Sequence, residues 1–473
     1  MEPECLAALE NPADGLGDGR KQISGNKKNI RDKTMSDTTG QDQQQNMRRV
    51  AMTSLAGTSI EWYDFFLYGT AAAVIFPKAF FPQDLPTMVL LIISFSTLAV
   101  GFLARPLGGI IFGHFGDRIG RKRTLVVALM MMGVATTLIG FLPTYTSIGI
   151  AAPLLLVALR FIQGLAIGGQ WGGAMLLVTE SAPADQRGWY GAYAQAGAPM
   201  GVILANLAFI GVSSSMSDEA FLEWGWRLPF IASIVLIGIS MYIQLKIEDT
   251  EAFKNLSEAQ AASDKPAEIV ERSPVVEAIR KYPKRIMLAA GAFLSVQVTF
   301  YILIAFVIAY GVNSPDLNLS RDTMLMAVLV AAAIMVPTQF YFSGLSDRIG
   351  RKNVYKWGAI LTGAWGFALF PLIDTGNPML IGFAITMGLL FLGMQYGPQA
   401  AYFTELFSTE VRYSGASLGY QIGAILGGAL APTIAVLLWR DFGIFFVSVY
   451  ITIAAILTLW SLSQLEETQG SSL

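Results

Sequence analysis

Hydrophobic segments alternate with short polar breaks along nearly the whole chain. From Met52 onward, each apolar run is long enough for a helix to cross about 30 Å of hydrocarbon. The pattern therefore predicts twelve membrane-spanning helices. Their expected spans are residues 53–76, 88–113, 123–143, 147–178, 189–212, 227–246, 285–312, 322–345, 354–373, 379–403, 414–438 and 442–463. Twelve such runs in succession argue against buried core helices of a water-soluble protein.

The first fifty residues follow a different pattern. They are polar and almost free of aromatic residues, so they cannot bury enough apolar surface to order themselves. They also lack the apolar stretch of a secretory signal peptide. A charged segment near the middle of the chain separates two groups of six spans. We therefore expect a disordered cytoplasmic tail at 1–50, an N-terminal bundle at 51–246, a cytoplasmic linker at 247–284, a C-terminal bundle at 285–465 and a short cytoplasmic tail at 466–473.

Composition supports a membrane protein and excludes several classes of site. Charged residues make up only 14% of the 473 residues, against about a quarter in soluble proteins. A single cysteine, Cys5, and a single histidine, His114, exclude a disulfide framework and the common zinc motifs. The chain has no P-loop, and its net charge of −2 gives no reason to expect a nucleic-acid partner. We expect no cofactor and no metal.

The basic residues predict the orientation in the membrane. With the N-terminus inside, 26 Lys and Arg residues fall on the cytoplasmic side and four on the other side. Cytoplasmic segments carry the excess of Lys and Arg in membrane proteins. We therefore expect a multi-pass protein of the plasma (inner) membrane with both termini in the cytoplasm.

An internal repeat relates the two groups of spans. Gly116-Asp-Arg-Ile-Gly-Arg-Lys122 after span two matches Ser346-Asp-Arg-Ile-Gly-Arg-Lys352 after span eight. At nearly the same offset, a second set matches residue by residue: Gln170, Trp171, Gly172, Thr179, Glu180 and Arg187 correspond to Gln395, Tyr396, Gly397, Thr404, Glu405 and Arg412. The matches indicate an all-α integral membrane protein of two pseudo-symmetric six-helix bundles, with a substrate site between them near the midplane.

These motifs carry a family resemblance over about residues 50–465. Gly113-His-Phe-Gly-Asp-Arg-Ile-Gly-Arg-Lys-Arg123 resembles the loop signature of the major facilitator superfamily. Further segments are similar to its metabolite:H⁺ symporter branch: Ile60-Glu-Trp-Tyr-Asp-Phe-Phe-Leu-Tyr-Gly69, Arg105-Pro-Leu-Gly-Gly109, Gly397-Pro-Gln399 and Thr404-Glu-Leu-Phe-Ser-Thr-Glu-Val-Arg-Tyr-Ser-Gly415. The resemblance implies uptake of an organic acid or zwitterion, such as a dicarboxylate, citrate, shikimate, proline or betaine.

The repeated charged motifs suggest a cytoplasmic gate. Asp117 and Asp347 are expected in tight turns, where each can accept backbone N–H groups and oppose a helix N-terminus. Arg121 and Arg351 can pair with acidic residues at the ends of spans four and ten. The alternative is that these charges only set the topology, but a repeated Asp does nothing for the positive-inside rule. The candidate gate residues are Asp117, Arg118, Arg121, Glu180, Arg187, Asp347, Arg351, Glu405 and Arg412.

Four ionisable residues are expected inside the membrane, and all lie in the first half. Such residues are costly in hydrocarbon and are functional by default. Glu61 and Asp64 are candidate proton carriers, because burial disfavours the charged carboxylate and permits proton exchange near neutral pH. Arg105 and Arg160 are candidates for an anionic substrate group, because the guanidinium fork matches a carboxylate. A purely structural Glu61–Arg105 pair is the alternative, since helix rise puts both residues at one level.

Neutral polar residues complete the candidate substrate site. Branch members commonly carry Glu in the stretch where this chain has Gln170, which cannot titrate, so coupling would then depend on Asp64 and Glu61 alone or be lost. Gln170, Gln395, Tyr301 and Tyr396 are candidate substrate ligands; helix packing is their alternative role.

Together the residues predict proton-coupled uptake of a small organic anion or zwitterion by alternating access. Its partners are a small-molecule substrate, protons and the lipid bilayer, and we expect a functional monomer that is not an enzyme. The alternatives are an efflux antiporter, an uncoupled facilitator, or a membrane sensor that keeps a transporter fold.

Overall fold

The computed structural model describes residues 47–119, 121–168, 175, 178–179, 182–248, 274–408 and 411–470. Contacts divide the chain into two units, residues 1–50 and residues 51–473. Of the first unit only residues 47–50 are described, as helix. The predicted disorder of the tail therefore concerns residues that lie almost entirely outside the described part.

The second unit is built from long helices, which we label α1 to α12. The described residues contain no β-strand. The helices are α1 (51–74), α2 (Thr87–Ile119), α3 (Arg121–Phe141), α4 (Ala151–Gly168), α5 (Arg187–Ser213), α6 (Arg227–Glu248), α7 (Pro283–Asn313), α8 (Arg321–Ile349), α9 (Arg351–Ile373), α10 (Pro378–Glu405), α11 (Arg412–Phe442) and α12 (Phe445–Gln464). Short helices at Phe76–Ala79, Tyr145–Ile148, Asp218–Ala220 and Pro274–Lys281 lie between them. Local π-helical turns interrupt α7 at Ile302–Phe306 and α11 at Ala424–Ala429, and another, Phe221–Gly225, precedes α6.

Eleven of the predicted spans coincide with one of these helices to within a few residues at each end. Of the fourth span, predicted over 147–178, the structure describes the helix Ala151–Gly168, and most of the residues from 169 to 178 lie outside the described part. Within the described ranges, nine helices are long and apolar enough to cross a membrane, and a tenth span is α6 with the short helical segment Asp218–Gly225, bent by 51°. The apolar part of α3 is shorter, Val126–Phe141. With α3 and α1, the helices at the predicted spans number twelve within the described ranges. The predicted all-α membrane fold is confirmed for the described residues. The spanning helices have similar lengths because each must cross the same thickness of hydrocarbon.

The same helix pairs pack together in both halves of the chain. In the N-terminal half (α1–α6), α2 packs on α4 and α3 packs on α6; in the C-terminal half (α7–α12), α8 packs on α10 and α9 packs on α12. The halves meet where α5 runs along α8 and α10, and where α2 lies against α11. This arrangement agrees with the duplication inferred from the repeated motifs.

The repeated Asp residues do not lie in turns as expected. Asp347 lies within α8, three residues before Gly350, which ends that helix with a φ of 103°. The backbone of Asp117 is likewise helical, because α2 continues to Ile119. The connection between α8 and α9 is short because Gly350, with its positive φ, reverses the chain, so Asp347 occupies the last turn of α8.

Glycines let α2 and α4 approach within backbone contact. A Cβ on Gly164 would overlap the carbonyl oxygen of Gly101, and a Cβ on Gly168 would overlap that of Arg105. Small residues at a membrane helix interface permit such close approach. Since α2 carries Arg105 and α4 carries Arg160, this contact brings the two guanidinium groups together.

We predict that Gly164→Ala destabilises the protein by about 1–3 kcal/mol, because the methyl group must push two helix backbones apart. Thermal unfolding in detergent measures the effect as a lower transition temperature. Gly211→Ala is the matched control, since a Cβ on this α5 glycine meets no atom within 4 Å. Equal transition temperatures for the two variants would contradict the close-packed contact.

Candidate functional site

Two arginines lie on one buried phenyl ring in the N-terminal half. The Arg105 Cζ is 4.6 Å from the ring centroid of Phe65, and the Arg160 Cζ is 4.2 Å from the same centroid. Arg105 also lies over Phe102 at 4.3 Å, and Arg160 over Tyr68 at 4.2 Å. Aromatic faces attract a cation, so these rings hold two positive charges where water is excluded.

Neither guanidinium is saturated with hydrogen bonds. Arg105 and Arg160 are 1% and 0% exposed. In the described part of the chain, Nε and Nη2 of each arginine have no hydrogen-bond acceptor. A buried donor without an acceptor is costly, and a charged one more so. The two arginines therefore fit a ligand that brings oxygen acceptors and negative charge.

Arg160 is held by two neutral residues that the sequence analysis missed. Its Nη1 donates to the Gln163 side-chain oxygen at 3.0 Å, and the Gln163 amide donates to the Thr136 hydroxyl at 2.7 Å. Both partners are buried. They give no sequence signal, because the sequence around a lone Gln or Thr in an apolar helix does not distinguish a residue that packs between helices from one that binds a functional group.

Arg105 faces tyrosines from the C-terminal half. The Tyr301 ring lies 5.2 Å from the Phe102 ring, and its hydroxyl is within reach of the Arg105 guanidinium. Tyr396 and Tyr420 lie close by, with their hydroxyls within reach of each other. Tyr420 was not among the predicted ligands. Aromatic residues of both halves thus surround the Arg105 guanidinium.

Asp64 is buried among helices of the N-terminal half. It is 1% exposed, and the hydroxyls of Thr136 and Ser233 lie beside it. Those hydroxyls donate elsewhere, to the carbonyl oxygens of Met132 and Pro229. Both carboxyl oxygens are without a hydrogen-bond donor among the described residues. Thr136 therefore connects the surroundings of Asp64 to the Gln163–Arg160 pair.

The other predicted site residues take different positions. Glu61 is half-buried on α1. Gln395 is fully buried, and its amide donates to the Thr362 hydroxyl of α9 at 2.8 Å, so this donor is used inside the C-terminal half. Gln170 lies outside the described residues.

The repeated Asp of the C-terminal half contacts the N-terminal half. The two Asp347 carboxylate oxygens accept the backbone N–H groups of Gly188 and Trp189, each at 2.9 Å. Both groups belong to the first turn of α5, whose unpaired N–H groups and positive dipole end favour an anion. We call this contact the Asp347 latch. The sequence predicted an Asp opposite a helix N-terminus, but not that the helix belongs to the other half.

An ion-pair cluster surrounds the Asp347 latch. The Arg351 guanidinium bonds the Asp347 carboxylate, and its Nη2 lies 3.3 Å from Glu405 Oε1, which is the pairing expected from the repeat. Arg187 lies close to Glu405, and the Arg412 Nε donates to the Thr404 carbonyl at the end of α10. The buried cluster thus links the ends of α5, α8, α9, α10 and α11.

Residues after α12 bind to the same cluster. The Glu467 carboxylate accepts the backbone N–H groups of Arg351 and Lys352 at 2.9 and 3.0 Å, at the start of α9. The Thr468 hydroxyl donates to Glu405 at 2.7 Å, and the Gln469 amide to the Asp347 carbonyl at 2.5 Å. Only the acidic character of this segment was visible in the sequence, because its partners lie between 63 and 122 residues away along the chain.

The corresponding side chains of the N-terminal half lie outside the described part. Asp117, Arg118 and Arg121 have described backbone only, and Glu180 is not described at all. Their predicted gate role stays a prediction.

Comparison with known proteins identifies related chains over nearly the full length. Residues 57–418 and 316–472 match the family model of the Major Facilitator Superfamily. The inner membrane metabolite transport protein YhjE of Escherichia coli K12 is 41% identical over 433 residues, covering 90% of this chain and 95% of YhjE. The shikimate transporter of the same organism is 41% identical over 389 residues, covering 82% and 87%. The solved structure of the proton:xylose symporter XylE, with 6-bromo-6-deoxy-D-glucose, has a TM-score of 0.69 at 15% identity, covering 91% and 98%.

We predict that Asp347→Asn loosens the contact between Asp347 and α5. Losing the charge at the helix N-terminus costs about 0.3–1 kcal/mol, or roughly a two- to five-fold rise in the open population at this end. The measurement is the alkylation rate of Ser343→Cys in a Cys5→Ser background, because Ser343 is buried next to Gly188. Asp441→Asn, which pairs with its exposed neighbour Arg440, is the control. An unchanged alkylation rate in Asp347→Asn would rule out the latch.

Proposed function

The chain belongs to the Major Facilitator Superfamily, and we propose that it imports a small carboxylate-bearing metabolite together with protons, by alternating access. Its relatives are transporters, so it is a multi-pass membrane transporter and not an enzyme. The observation that carries the proposal is the pair of buried guanidinium groups, in each of which Nε and Nη2 have no acceptor in the described part of the chain. A carboxylate supplies both the acceptors and the compensating charge.

We assign the anionic group of the substrate to Arg105. Its guanidinium faces Tyr301 from the other half, whereas the Arg160 Nη1 is bonded to Gln163 within its own half. A ligand on Arg105 would touch both halves and favour the state in which they are closed around it. The neutral hydroxyl groups of Tyr301, Tyr396 and Tyr420 would then bind polar, uncharged parts of the metabolite.

We assign proton coupling to Asp64. A buried carboxylate without donors is costly, so the surroundings seen here suit the protonated acid. When the proton leaves, the nearby hydroxyl of Thr136 can turn from the Met132 carbonyl to the carboxylate. That turn disturbs the Gln163–Arg160 contact, because Gln163 donates to the same hydroxyl. Release of the proton from Asp64 would thereby change the position of Arg160, and with it the packing on Phe65, the ring that Arg160 shares with Arg105.

Orientation and assembly follow from the same chain. We place both termini in the cytoplasm of a bacterial cell, with the protein in its inner membrane, because basic residues concentrate in the segments on that side. A monomer is sufficient, since a single chain supplies both halves around Arg105. An uncoupled facilitator is the second candidate, because Gln170 stands where branch members commonly carry a titratable Glu.

We predict that Arg105→Lys weakens apparent substrate affinity by about 10- to 100-fold, since one charge-assisted hydrogen bond is worth about 1.5–3 kcal/mol. Lys keeps the charge but loses the two-pronged geometry. Uptake of labelled candidate monocarboxylates, dicarboxylates and betaines into proteoliposomes measures KM, with the exposed Arg440→Lys as the control. A KM equal to that of the unchanged protein would remove Arg105 from the substrate site.

We predict that Asp64→Asn abolishes accumulation of substrate against its gradient, because the side chain can no longer carry a proton. Uptake is measured with and without an imposed inward proton gradient. Exchange of internal for external substrate, which needs no net proton movement, should persist. Asp84→Asn, on an exposed loop of the same half, should leave both activities unchanged. Equal uptake with and without the gradient in the unchanged protein would favour the facilitator.

A further inference from the structure

The halves are also joined at the end of the bundle opposite the Asp347 latch. Because α5 and α8 are antiparallel, the last residue of α5 and the first residues of α8 meet at that end. The Ser213 hydroxyl donates to Asp322 Oδ1 at 3.0 Å, and Ser213 is only 6% exposed. This hydrogen bond connects the N-terminal half to the C-terminal half.

Arg321 provides a second connection at this end. Its Cζ lies 4.0 Å from the centroid of the Phe221 ring, and its side chain is 11% exposed. Phe221 is fully buried and packs on Phe209 of α5. A cation that belongs to the C-terminal half is therefore placed over an aromatic group that belongs to the N-terminal half.

Two carboxylates orient the Arg321 guanidinium. Nη2 lies 2.7 Å from Asp218 Oδ1 across the boundary between the halves, and Nε lies 3.3 Å from Asp322 Oδ1 on the same helix. The Asp218 side chain is 85% exposed, so its ion pair alone contributes little. The stacking of a nearly buried guanidinium on Phe221 is the stronger part of the contact.

We propose that Arg321 on Phe221, supported by Asp218 and by the Ser213–Asp322 hydrogen bond, forms a second latch that must release before the halves separate at this end. We call it the Arg321 latch. The positive-inside prediction puts it on the outer side of the membrane. The inference rests on the proposed alternating access, in which the two ends open in turn.

Each contact of the Arg321 latch would be lost on opening. Ser213, Asp218 and Phe221 belong to α5 and the segment that follows it, whereas Arg321 and Asp322 begin α8. No covalent connection shorter than α6, the linker and α7 joins the two groups. Arg321 is thus a positioning residue that acts on the conformational equilibrium and does not touch the substrate.

The test measures the distance across this end by double electron–electron resonance. Spin labels are placed at Ser147→Cys and Thr375→Cys in a Cys5→Ser background. Both positions are exposed, and they follow α3 and α9, which end on the same side of the bundle as the latch. Arg321→Gln should create a longer-distance population, and Asp218→Asn should shift the distribution less, because the stacking remains.

Arg440→Gln is the matched control. Arg440 lies at the same end, is exposed, and pairs with its neighbour Asp441. It should leave the distance distribution unchanged. If Arg321→Gln does not fold, Arg321→Lys, which keeps the charge and loses the planar stacking, must give the longer distances. Distributions for the Arg321 variant that superimpose on those of Arg440→Gln overturn the proposal.

The measurement needs neither a substrate nor a proton gradient. A longer distance in a protein that fails to accumulate carboxylates would leave the Arg321 latch standing and remove the proposed cargo. Gradient-driven uptake of a carboxylate in a protein whose distances do not respond to Arg321→Gln would support the proposed cargo and remove the Arg321 latch.

Discussion

Two guanidinium groups that share one phenyl ring are the constraint on which the rest of the site depends. Removing a charge from water is costly, and inside a membrane protein such residues need a partner or a function. Here Phe65 lies against both Arg105 and Arg160, while Phe102 contacts Arg105 and Tyr68 contacts Arg160. The rings attract the cations without accepting their N–H groups. We propose that the site receives an anion that arrives and leaves, because no carboxylate of the described residues occupies Nε and Nη2 of either arginine.

The positions of the helices were largely predictable, whereas many of the contacts between them were not. The hydrocarbon core fixes span lengths, so eleven of the twelve spans were found from the sequence within a few residues, whereas span four was predicted over 147–178 and its described helix is Ala151–Gly168. The predicted pairing of Arg351 with Glu405 is also present. Long-range contacts gave no comparable signal. The partner of Asp347 is the start of α5, and the partner of Glu467 is the start of α9. Both are backbone N–H groups, which every sequence has, so only the packing of the halves decides which ones are used.

The halves contribute unequal chemistry to a symmetric frame. The same helix pairs pack in each half, yet the buried arginines and Asp64 lie in the N-terminal half, and the described residues facing Arg105 from the C-terminal half are neutral tyrosines. Duplication supplies two bundles that can rock, and divergence then concentrates charge on one side. Charge on both sides would hold the halves together or apart whether or not cargo is bound. With charge on one side only, the proposed cargo on Arg105 would itself complete the contact between the halves.

The strength of the contacts between the halves bears on whether a small metabolite can drive the cycle. A ligand shifts a conformational equilibrium only by the difference between its affinities for the two states. A carboxylate at the end of a helix is worth about 0.3–1 kcal/mol, and up to about 2 kcal/mol where it is partly buried. An exposed ion pair such as Arg321–Asp218 adds at most about 1 kcal/mol. The stacking of Arg321 on Phe221 adds about 0.5–2 kcal/mol. Each latch is therefore worth about as much as one or two charge-assisted hydrogen bonds. A carboxylate that binds Arg105 makes about as many, so the binding energy of a single cargo molecule is of the size needed to change which end opens.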